Sequence, residues 1–335
     1  MKLSVDKIRE ISTGAVRVFE EDGNVCLSRF TEAESEFYKN RDKVFYIKST
    51  ASSGIRFSFK TDSKNLFISA DMRTGCTRNY FSFDIFVDGK CVGYLDNFEG
   101  VKIPAYFSDI KLPLGEYSKN FELGEGEKEV TVYLPWSTQT LIKELSVDDG
   151  SFVEPLRRAK KLLAYGDSIT QGYDSLRPSN RYVARLCDAL GFEETNKAIG
   201  GEIFCAPLAE FKNEVPDLIT VAYGTNDWNR TTFEKFLVQS RGFFENLRKN
   251  YPDTKIFAIT PIWRKDGTQE RAFGSFELVT EYLYKVVEGL DIEVVYGYDF
   301  VPQDESLFGD LRLHPRDEGF AFYTDSLLKK ITDKL

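Results

Sequence analysis

The chain has 335 residues, more than a usual single domain, so we expect two domains, each able to bury a sizeable core. Hydrophobic residues make up 42% of the sequence, which indicates a folded globular protein and excludes intrinsic disorder. The formal net charge of -9 makes nucleic acid and anionic membrane surfaces poor candidates as partners.

The cysteines and the N-terminal sequence bear on metal binding and location. The five cysteines are widely spaced and form no Cys-x-x-Cys pair, and a single histidine is available to complete a metal site. We therefore expect reduced, mostly buried thiols and no metal site.

The first residues lack an apolar signal core, and no apolar stretch reaches the roughly 18 residues that a membrane span needs. The resulting expectation for the location is cytoplasmic.

Residues 1–150 have the pattern of an all-β domain. Polar and apolar residues alternate over short runs separated by turn residues, which predicts strands at 55–60, 66–70, 80–87, 129–134 and 141–145. The third run ends at Asp88-Gly89, a typical hairpin turn. Since no convincing long helix interrupts the pattern, we expect a jelly-roll-like β-sandwich that serves as an accessory domain.

The pattern changes after residues 147–158, which include Pro155 and read as a linker. In the second domain, at 158–335, short apolar strands alternate with amphipathic helices. The strands are predicted at 161–165, 195–199, 218–223, 256–259 and 294–298. This alternation favours a parallel sheet with helices on both faces, and therefore a three-layer, flavodoxin-like α/β domain.

The helices of this second domain carry recognisable ends and apolar stripes. One helix is predicted to end at Gly191, and a capping box of Thr231 and Glu234 is predicted to begin the next. In the last two helices, apolar residues recur at helical spacing at Phe276, Val279, Leu283 and Val286, and at Phe320, Tyr323, Leu327 and Ile331.

A serine follows the first strand of this domain, in the run Gly166-Asp167-Ser168-Ile169-Thr170. The carboxyl ends of strands are where open α/β sheets build their sites. A serine needs a base within hydrogen-bond reach to act as a nucleophile, and His314 is the only histidine available. The run is not the Gly-x-Ser-x-Gly elbow of α/β-hydrolases, because Thr170 stands where that motif has its second glycine.

Four short blocks occur in a fixed order: Gly166-Asp167-Ser168, Gly201 within 196–202, Gly224-Thr225-Asn226-Asp227, and His314-Pro315. In this order they resemble the blocks of the SGNH hydrolases, also called the GDSL esterase and lipase family. The resemblance covers about residues 158–335. It implies that Ser168 is the nucleophile and His314 the base. It also implies that the backbone N–H groups of Gly201 and Ser168 and the amide of Asn226 form the oxyanion hole, while Gly200 is an ordinary turn residue.

The residue that orients His314 is less clear, because the sequence departs from the family pattern. That pattern has an aspartate three residues before the histidine, where this chain has Leu311. The nearest carboxylate, Asp310, lies four residues before. A one-residue bulge could let Asp310 reach the imidazole, which we favour. The alternatives are a backbone carbonyl in a Ser-His dyad, or a more distant acid such as Asp304 or Glu305.

Three large side chains are expected near the same end of the sheet. Trp228 follows the third block directly, and Trp263 and Arg264 follow the fourth strand. They could wall an acyl or sugar pocket, with Arg264 meeting a polar or anionic part of the substrate. They could equally pack at the interface between the domains.

The resemblance implies a serine esterase that works through an acyl-enzyme, without a metal or organic cofactor. Two-domain members of the family with an N-terminal β-sandwich include carbohydrate esterases, so the expected substrates are short acyl esters, with acetylated carbohydrate as the sharper hypothesis. The same residues could instead serve an acyltransferase or a thioesterase. A non-catalytic glycan-binding protein is the alternative from a different class, although the four retained site residues count against it.

Overall fold

The computed structural model describes residues 1–335 and contains three β-sheets. Strands between Ser12 and Pro155 form two antiparallel sheets, and strands between Lys160 and Val295 form a parallel one. None of the helices combines the length and the apolar character that crossing a membrane requires.

The first 155 residues contain three helices and eleven strands. The helices are α1 (Val5–Ile11), α2 (Glu32–Arg41) and α3 (Lys43–Ser49). The strands are β1 (Ser12–Thr13), β2 (Arg17–Glu21), β3 (Asn24–Ser28), β4 (Arg56–Thr61), β5 (Asn65–Thr74), β6 (Ser82–Val87), β7 (Lys90–Asp96), β8 (Gly115–Glu122), β9 (Lys128–Tyr133), β10 (Thr138–Val147) and β11 (Glu154–Pro155).

Eight of these strands, β3 to β10, form the predicted jelly-roll-like sandwich. One sheet has the order β3-β10-β5-β8 with β2 at its edge, and the other has the order β4-β9-β6-β7 with β1 and β11 against β4. Alternate residues of β5, from Leu66 to Met72, are buried in the core between the sheets, as the period of two predicts. The β6–β7 hairpin turns at Asp88 and Gly89, which have φ of 48° and 76°.

The N-terminal half also contains three short helices that the sequence did not predict. Helix α2 begins with a capping box, in which Thr31 and Glu34 each accept a hydrogen bond from the backbone of the other. The predicted linker at 147–158 is also ordered against the sandwich, because Glu154 pairs with Lys60 in the antiparallel contact of β11 with β4.

The remaining residues form the parallel sheet and its helices. The strands are β12 (Lys160–Gly166), β13 (Phe192–Asn196), β14 (Leu218–Ala222), β15 (Lys255–Ile259) and β16 (Glu293–Val295). The helices are α4 (Ser168–Gln171), α5 (Tyr182–Leu190), α6 (Thr225–Arg230), α7 (Phe233–Asn250), α8 (Glu277–Val286) and α9 (Asp317–Ile331). Short 3-10 helices occupy Pro178–Asn180, Ala206–Glu210, Glu305–Leu307 and Thr332–Lys334.

The sheet order is β13-β12-β14-β15-β16, with every pair parallel. This is the flavodoxin-like order, so the predicted three-layer α/β fold is confirmed. Successive residues of β12 point to opposite faces. Leu163 and Tyr165 pack with α7 and α8, while Leu162 and Ala164 pack with α5 and α9. The crevice at the carboxyl end of β12, between β13 and β14, is where such sheets bind ligands.

Three predicted boundaries are wrong. The second strand covers 192–196 instead of 195–199, because the chain turns towards Gly200 and Gly201 after Asn196. The fifth strand ends at Val295. The cap of α7 is Thr232, whose hydroxyl accepts the Lys235 N–H, and no capping box of Thr231 and Glu234 forms. Thr231 instead ends α6, a short helix that the sequence did not predict.

Candidate active site

Ser168 is the first residue of α4, directly beyond the end of β12. Asp167 caps this helix by accepting the Ile169 N–H at 3.0 Å. The turn requires glycine at position 166, since a Cβ there would lie 2.2 Å from the Thr170 hydroxyl. The sharp turn leaves the Ser168 side chain at the switch point of the sheet.

The structure brings Ser168, His314 and Asp310 into one hydrogen-bonded chain. His314 Nε2 lies 2.9 Å from Ser168 Oγ, and His314 Nδ1 lies 2.8 Å from Asp310 Oδ2. A carboxylate beside Nδ1 favours the tautomer that carries its proton there, which leaves the Nε2 lone pair facing the serine hydroxyl. The His314 side chain is 12% exposed, so the relay is largely shielded from water and open on one side.

Asp310 is held for this contact by the backbone that follows it. Its Oδ1 accepts the N–H groups of Arg312, Leu313 and His314 at 3.0, 2.7 and 3.0 Å. Leu311 adopts φ of 53°, and this left-handed residue is the bulge that fits one extra residue between the acid and the histidine. Burial acts to raise the pKa of Asp310, but the neighbouring imidazole and the backbone donors hold it well below its usual range.

The other acids weighed for this role lie elsewhere. Asp304 accepts the backbone N–H and hydroxyl of Ser306, and Glu305 forms an ion pair with Lys265. Asp310 is therefore the carboxylate in hydrogen-bond contact with His314.

Gly201 lies in the loop after β13, and Asn226 is the second residue of α6, shortly after β14. These two strands flank β12. Gly201 has φ of 87°, and its N–H donates to no acceptor in the protein. The Asn226 amide donates to the Glu202 carbonyl at 3.1 Å, which ties the start of α6 to the loop that carries Gly201. Gly200 serves the packing of its loop, since its N–H donates to Gln171 Oε1 at 2.7 Å and a Cβ would meet the Tyr173 hydroxyl at 2.3 Å.

A second carboxylate beside His314 was missed by the sequence reasoning. Asp174 is fully buried, and its Oδ2 lies 3.9 Å from His314 Nδ1. Its oxygens accept hydrogen bonds from Arg78 at 2.7 Å and Tyr80 at 2.8 Å, and also from Ser108. These three donors belong to the β5–β6 and β7–β8 loops of the sandwich half. No motif signals these three hydrogen bonds, because they join residues 66 to 96 positions apart.

The side chains of Asp174, Asp310 and His314 are close enough for their ligand atoms to share an ion, within 4.8 Å of one another. Their oxygens, however, already accept hydrogen bonds from Arg78 and from backbone N–H groups. This donor set fits a proton relay better than a metal site, where the same lone pairs would have to face a cation.

Two other acids near the site, Asp167 and Asp227, are buried. Burial raises the pKa of Asp167 to about 6 and that of Asp227 to about 8. Asp227 Oδ1 accepts the Phe204 N–H at 3.1 Å, while its Oδ2 has no partner. The raised pKa and the unpartnered Oδ2 both favour the protonated form of Asp227.

The tryptophan and arginine side chains considered as pocket walls mostly pack inside the α/β half. Trp228 is 1% exposed and donates to the Gly274 carbonyl, and Arg264 forms a bidentate ion pair with Asp266. The Arg264 guanidinium lies 4.8 Å from the Trp228 ring. Trp263 is half-buried against Phe308. Trp228 and Arg264 thus stabilise the loops behind the site and are not exposed to a substrate.

Comparison with known proteins relates this arrangement to a family. Residues 164–322 match the model of the GDSL-like Lipase/Acylhydrolase family. No curated protein matches the chain. Among solved structures, the salicylyl-acyltransferase SsfX3 of a tetracycline biosynthetic pathway is 20% identical with a TM-score of 0.81, over 96% of this chain and 94% of that one.

Two further structures show the same fold over nearly the whole chain. A putative GDSL-like lipase from Bacteroides ovatus is 20% identical with a TM-score of 0.77, covering 99% of this chain and 97% of that one. The acetyl xylan esterase Est2A from Butyrivibrio proteoclasticus is 16% identical with a TM-score of 0.64, covering 100% and 99%. The sandwich and the α/β half therefore occur together in other proteins.

Proposed function

We propose that the protein is a serine esterase that removes short acyl groups, acetyl above all, from a carbohydrate. The match of residues 164–322 to the GDSL-like lipase and acylhydrolase model supports this proposal. The observation that carries the proposal is the pair of hydrogen bonds that links Ser168 through His314 to Asp310, at 2.9 and 2.8 Å.

In the acylation step, Ser168 Oγ attacks the ester carbonyl carbon while His314 Nε2 takes the serine proton. Asp310 keeps the Nδ1 proton in place and stabilises the imidazolium that forms. The tetrahedral intermediate then expels the alcohol, which receives the proton from Nε2. The acyl group remains on Ser168. Water attacks this acyl-enzyme with the same proton shuttle and releases the carboxylic acid.

The negatively charged oxygen of the tetrahedral intermediate has to be stabilised by hydrogen-bond donors. We assign the backbone N–H groups of Gly201 and Ser168 and the side-chain amide of Asn226 to this role. The unengaged N–H of Gly201 supports the assignment, since a buried donor without a partner is costly unless a ligand satisfies it. None of these steps requires a metal or an organic cofactor.

Two considerations favour an acetylated carbohydrate as substrate. The fold of both halves is shared with a protein described as an acetyl xylan esterase. The acidic chain, with a net charge of -9, also suits a neutral sugar ester better than an anionic one.

An acyltransferase or thioesterase is the second candidate, and the similarity to the salicylyl-acyltransferase gives it a specific basis. The same acyl-enzyme would then pass its acyl group to an acceptor other than water, or take it from sulfur. A non-catalytic glycan-binding protein is less favoured, because the hydrogen bonds between Ser168, His314 and Asp310 have no value for binding a sugar on the sandwich.

The test is hydrolysis of p-nitrophenyl acetate, butyrate and octanoate, followed by acetylated xylan oligosaccharides. We expect a preference for acetate, loss of activity in Ser168→Ala, and normal activity in Ser151→Ala, a control in the segment between β10 and β11 of the sandwich half. Adding glycerol or a thiol as acceptor separates transfer from hydrolysis. Esters of glycerol as the main product would favour the transferase, and activity that survives Ser168→Ala would refute both enzymatic candidates.

A further inference from the structure

A buried lysine from the sandwich half touches the loop that carries Gly201. Lys48 lies in the last turn of α3 and is 8% exposed. Its ammonium donates a hydrogen bond of 2.5 Å to the carbonyl oxygen of Gly200. It forms no ion pair with any carboxylate. Burying an ammonium without a carboxylate partner is costly, so this placement calls for a role beyond packing.

The carbonyl that Lys48 binds belongs to a particular peptide group. The C=O of Gly200 and the N–H of Gly201 are the two ends of one planar, resonance-stabilised amide. A cation at the oxygen draws electron density away from the nitrogen and makes the N–H a stronger donor, as in other polarised hydrogen-bond chains. The Gly201 N–H itself donates to no protein acceptor, so it is free for a ligand.

The rest of this loop is held by other groups at other atoms. The Gly201 carbonyl accepts a hydrogen bond of 3.0 Å from Arg230. Glu202 forms a bidentate ion pair with Arg41, at 2.7 and 2.9 Å, and Arg41 ends the helix before α3. These contacts fix the course of the loop. Lys48 alone among these cations binds the amide whose N–H belongs to Gly201.

We propose that Lys48 is a positioning residue of the oxyanion hole, which orients and polarises the Gly200–Gly201 amide so that the Gly201 N–H stabilises the tetrahedral intermediate. The inference rests on the oxyanion role proposed above for Gly201. It makes the sandwich half of the chain a part of the catalytic machinery through α3, and not only a shield or a sugar-binding module.

The charge on Lys48 is open to titration, which gives the proposal a specific signature. Burial lowers the pKa of Lys48, and nearby Arg230 lowers it further, whereas Cys76, Glu202 and Asp42 act to raise it. As the pH rises and Lys48 becomes neutral, the amide loses its polarising charge. We therefore expect kcat of the wild-type enzyme to fall at alkaline pH.

The experiment compares Lys48→Met and Lys48→Gln with Lys43→Met, an exposed lysine at the start of the same helix. We expect kcat on p-nitrophenyl acetate to fall about 10-fold in Lys48→Met with little change in KM, since loss of a direct donor costs about 100-fold to 1000-fold. Ethylboronic acid, which forms a tetrahedral adduct on serine, should lose affinity by the same factor. Lys48→Gln can still donate a hydrogen bond but carries no charge, so its kcat and boronate affinity should lie between those of the wild type and Lys48→Met. In both Lys48 variants, kcat should no longer fall at alkaline pH.

Two outcomes would overturn the inference. One is that Lys48→Gln and Lys48→Met match Lys43→Met in kcat and in boronate affinity. The other is that kcat falls in step with the folded fraction measured by circular dichroism, while boronate affinity per folded molecule is unchanged. Failure of the proposed function is a separate result, because it would show as activity that survives Ser168→Ala.

Discussion

Replacing Asp310 with asparagine should invert the proton arrangement on His314. The three backbone N–H groups of Arg312, Leu313 and His314 all point at Oδ1, so the amide oxygen of the asparagine has to occupy that position. The amide NH2 then faces His314 Nδ1, which must become the acceptor. The imidazole proton moves to Nε2, facing Ser168, and the ring can no longer take the serine proton.

The expected loss in kcat is about 1000-fold to 10000-fold, which corresponds to about 4 to 5.5 kcal/mol of barrier, as for the same exchange in other triads. The fold should survive, because the three backbone donors keep their acceptor. One pH effect should disappear. The depressed pKa of Asp310 means that its carboxylate stabilises the folded state above about pH 4 and loses this contribution as the pH falls towards its folded pKa, whereas asparagine has none to lose.

The assay is p-nitrophenyl acetate turnover together with thermal unfolding, with Asp304→Asn as the matched control at an exposed acid in the same segment. The prediction is an inactive but folded Asp310→Asn and a fully active Asp304→Asn. Unchanged turnover in Asp310→Asn would refute the reasoning and leave a Ser-His dyad oriented by a backbone carbonyl. Loss of turnover only in Asp304→Asn would assign the orienting role to that acid.

Three more predictions concern the surroundings of the site. Arg78→Met should lower the free energy of unfolding by about 3 to 5 kcal/mol in urea titrations, because it leaves Asp174 buried without its cation; a loss below about 1 kcal/mol would contradict this. Gly200→Ala should lower both kcat and the melting temperature, because its Cβ would lie 2.3 Å from the Tyr173 hydroxyl. Wild-type values of both would contradict this, since they would show that the loop accommodates the Cβ without cost. The raised pKa of Asp227, about 8, means that the folded state keeps a proton that the unfolded chain releases above about pH 4, so stability should fall as the pH rises from about 4 to about 8. Asp227→Asn should remove this pH-dependent loss, which amounts to a few kcal/mol of unfolding free energy. The same pH dependence in the variant and the wild type, measured by urea unfolding, would contradict the prediction.

Local patterns were enough to predict the two architectures. Alternation along β5 placed Leu66 and Ile68 in one core, and the uninterrupted apolar run of β12 indicated a strand covered on both faces. The motif blocks also predicted which loops would converge, because the carboxyl ends of neighbouring parallel strands meet at one edge of the sheet.

Local conformation limited the prediction where a residue adopts an unusual backbone. Leu311 at φ of 53° lets Asp310 reach His314 from four positions away, but a leucine gives no sequence signal for a left-handed turn. Helix α2 was missed for a different reason. The sequence contains the capping-box residues Thr31 and Glu34, but the ten residues of the helix include too few apolar side chains to form an amphipathic pattern.

The contacts between the sandwich half and the α/β half could not be predicted. Arg78 meets Asp174 across 96 positions, and Lys48 meets Gly200 across 152. Each pair joins the sandwich half to the α/β half, and neither residue of a pair carries a signal of its partner. Treating residues 1–150 as an accessory domain therefore understates their share in the site, since three groups that hold Asp174 and one that holds the Gly200 carbonyl come from there.

The most direct test of the account is to trap the acyl-enzyme. The enzyme is mixed with p-nitrophenyl acetate, quenched within the first turnover, and measured by intact mass and peptide mapping. We predict a burst of p-nitrophenol equal to the enzyme concentration and one acetyl group on the peptide that contains Ser168, both absent in Ser168→Ala. An acetyl group on another residue, or steady turnover with no burst difference in Ser168→Ala, would contradict the proposed mechanism.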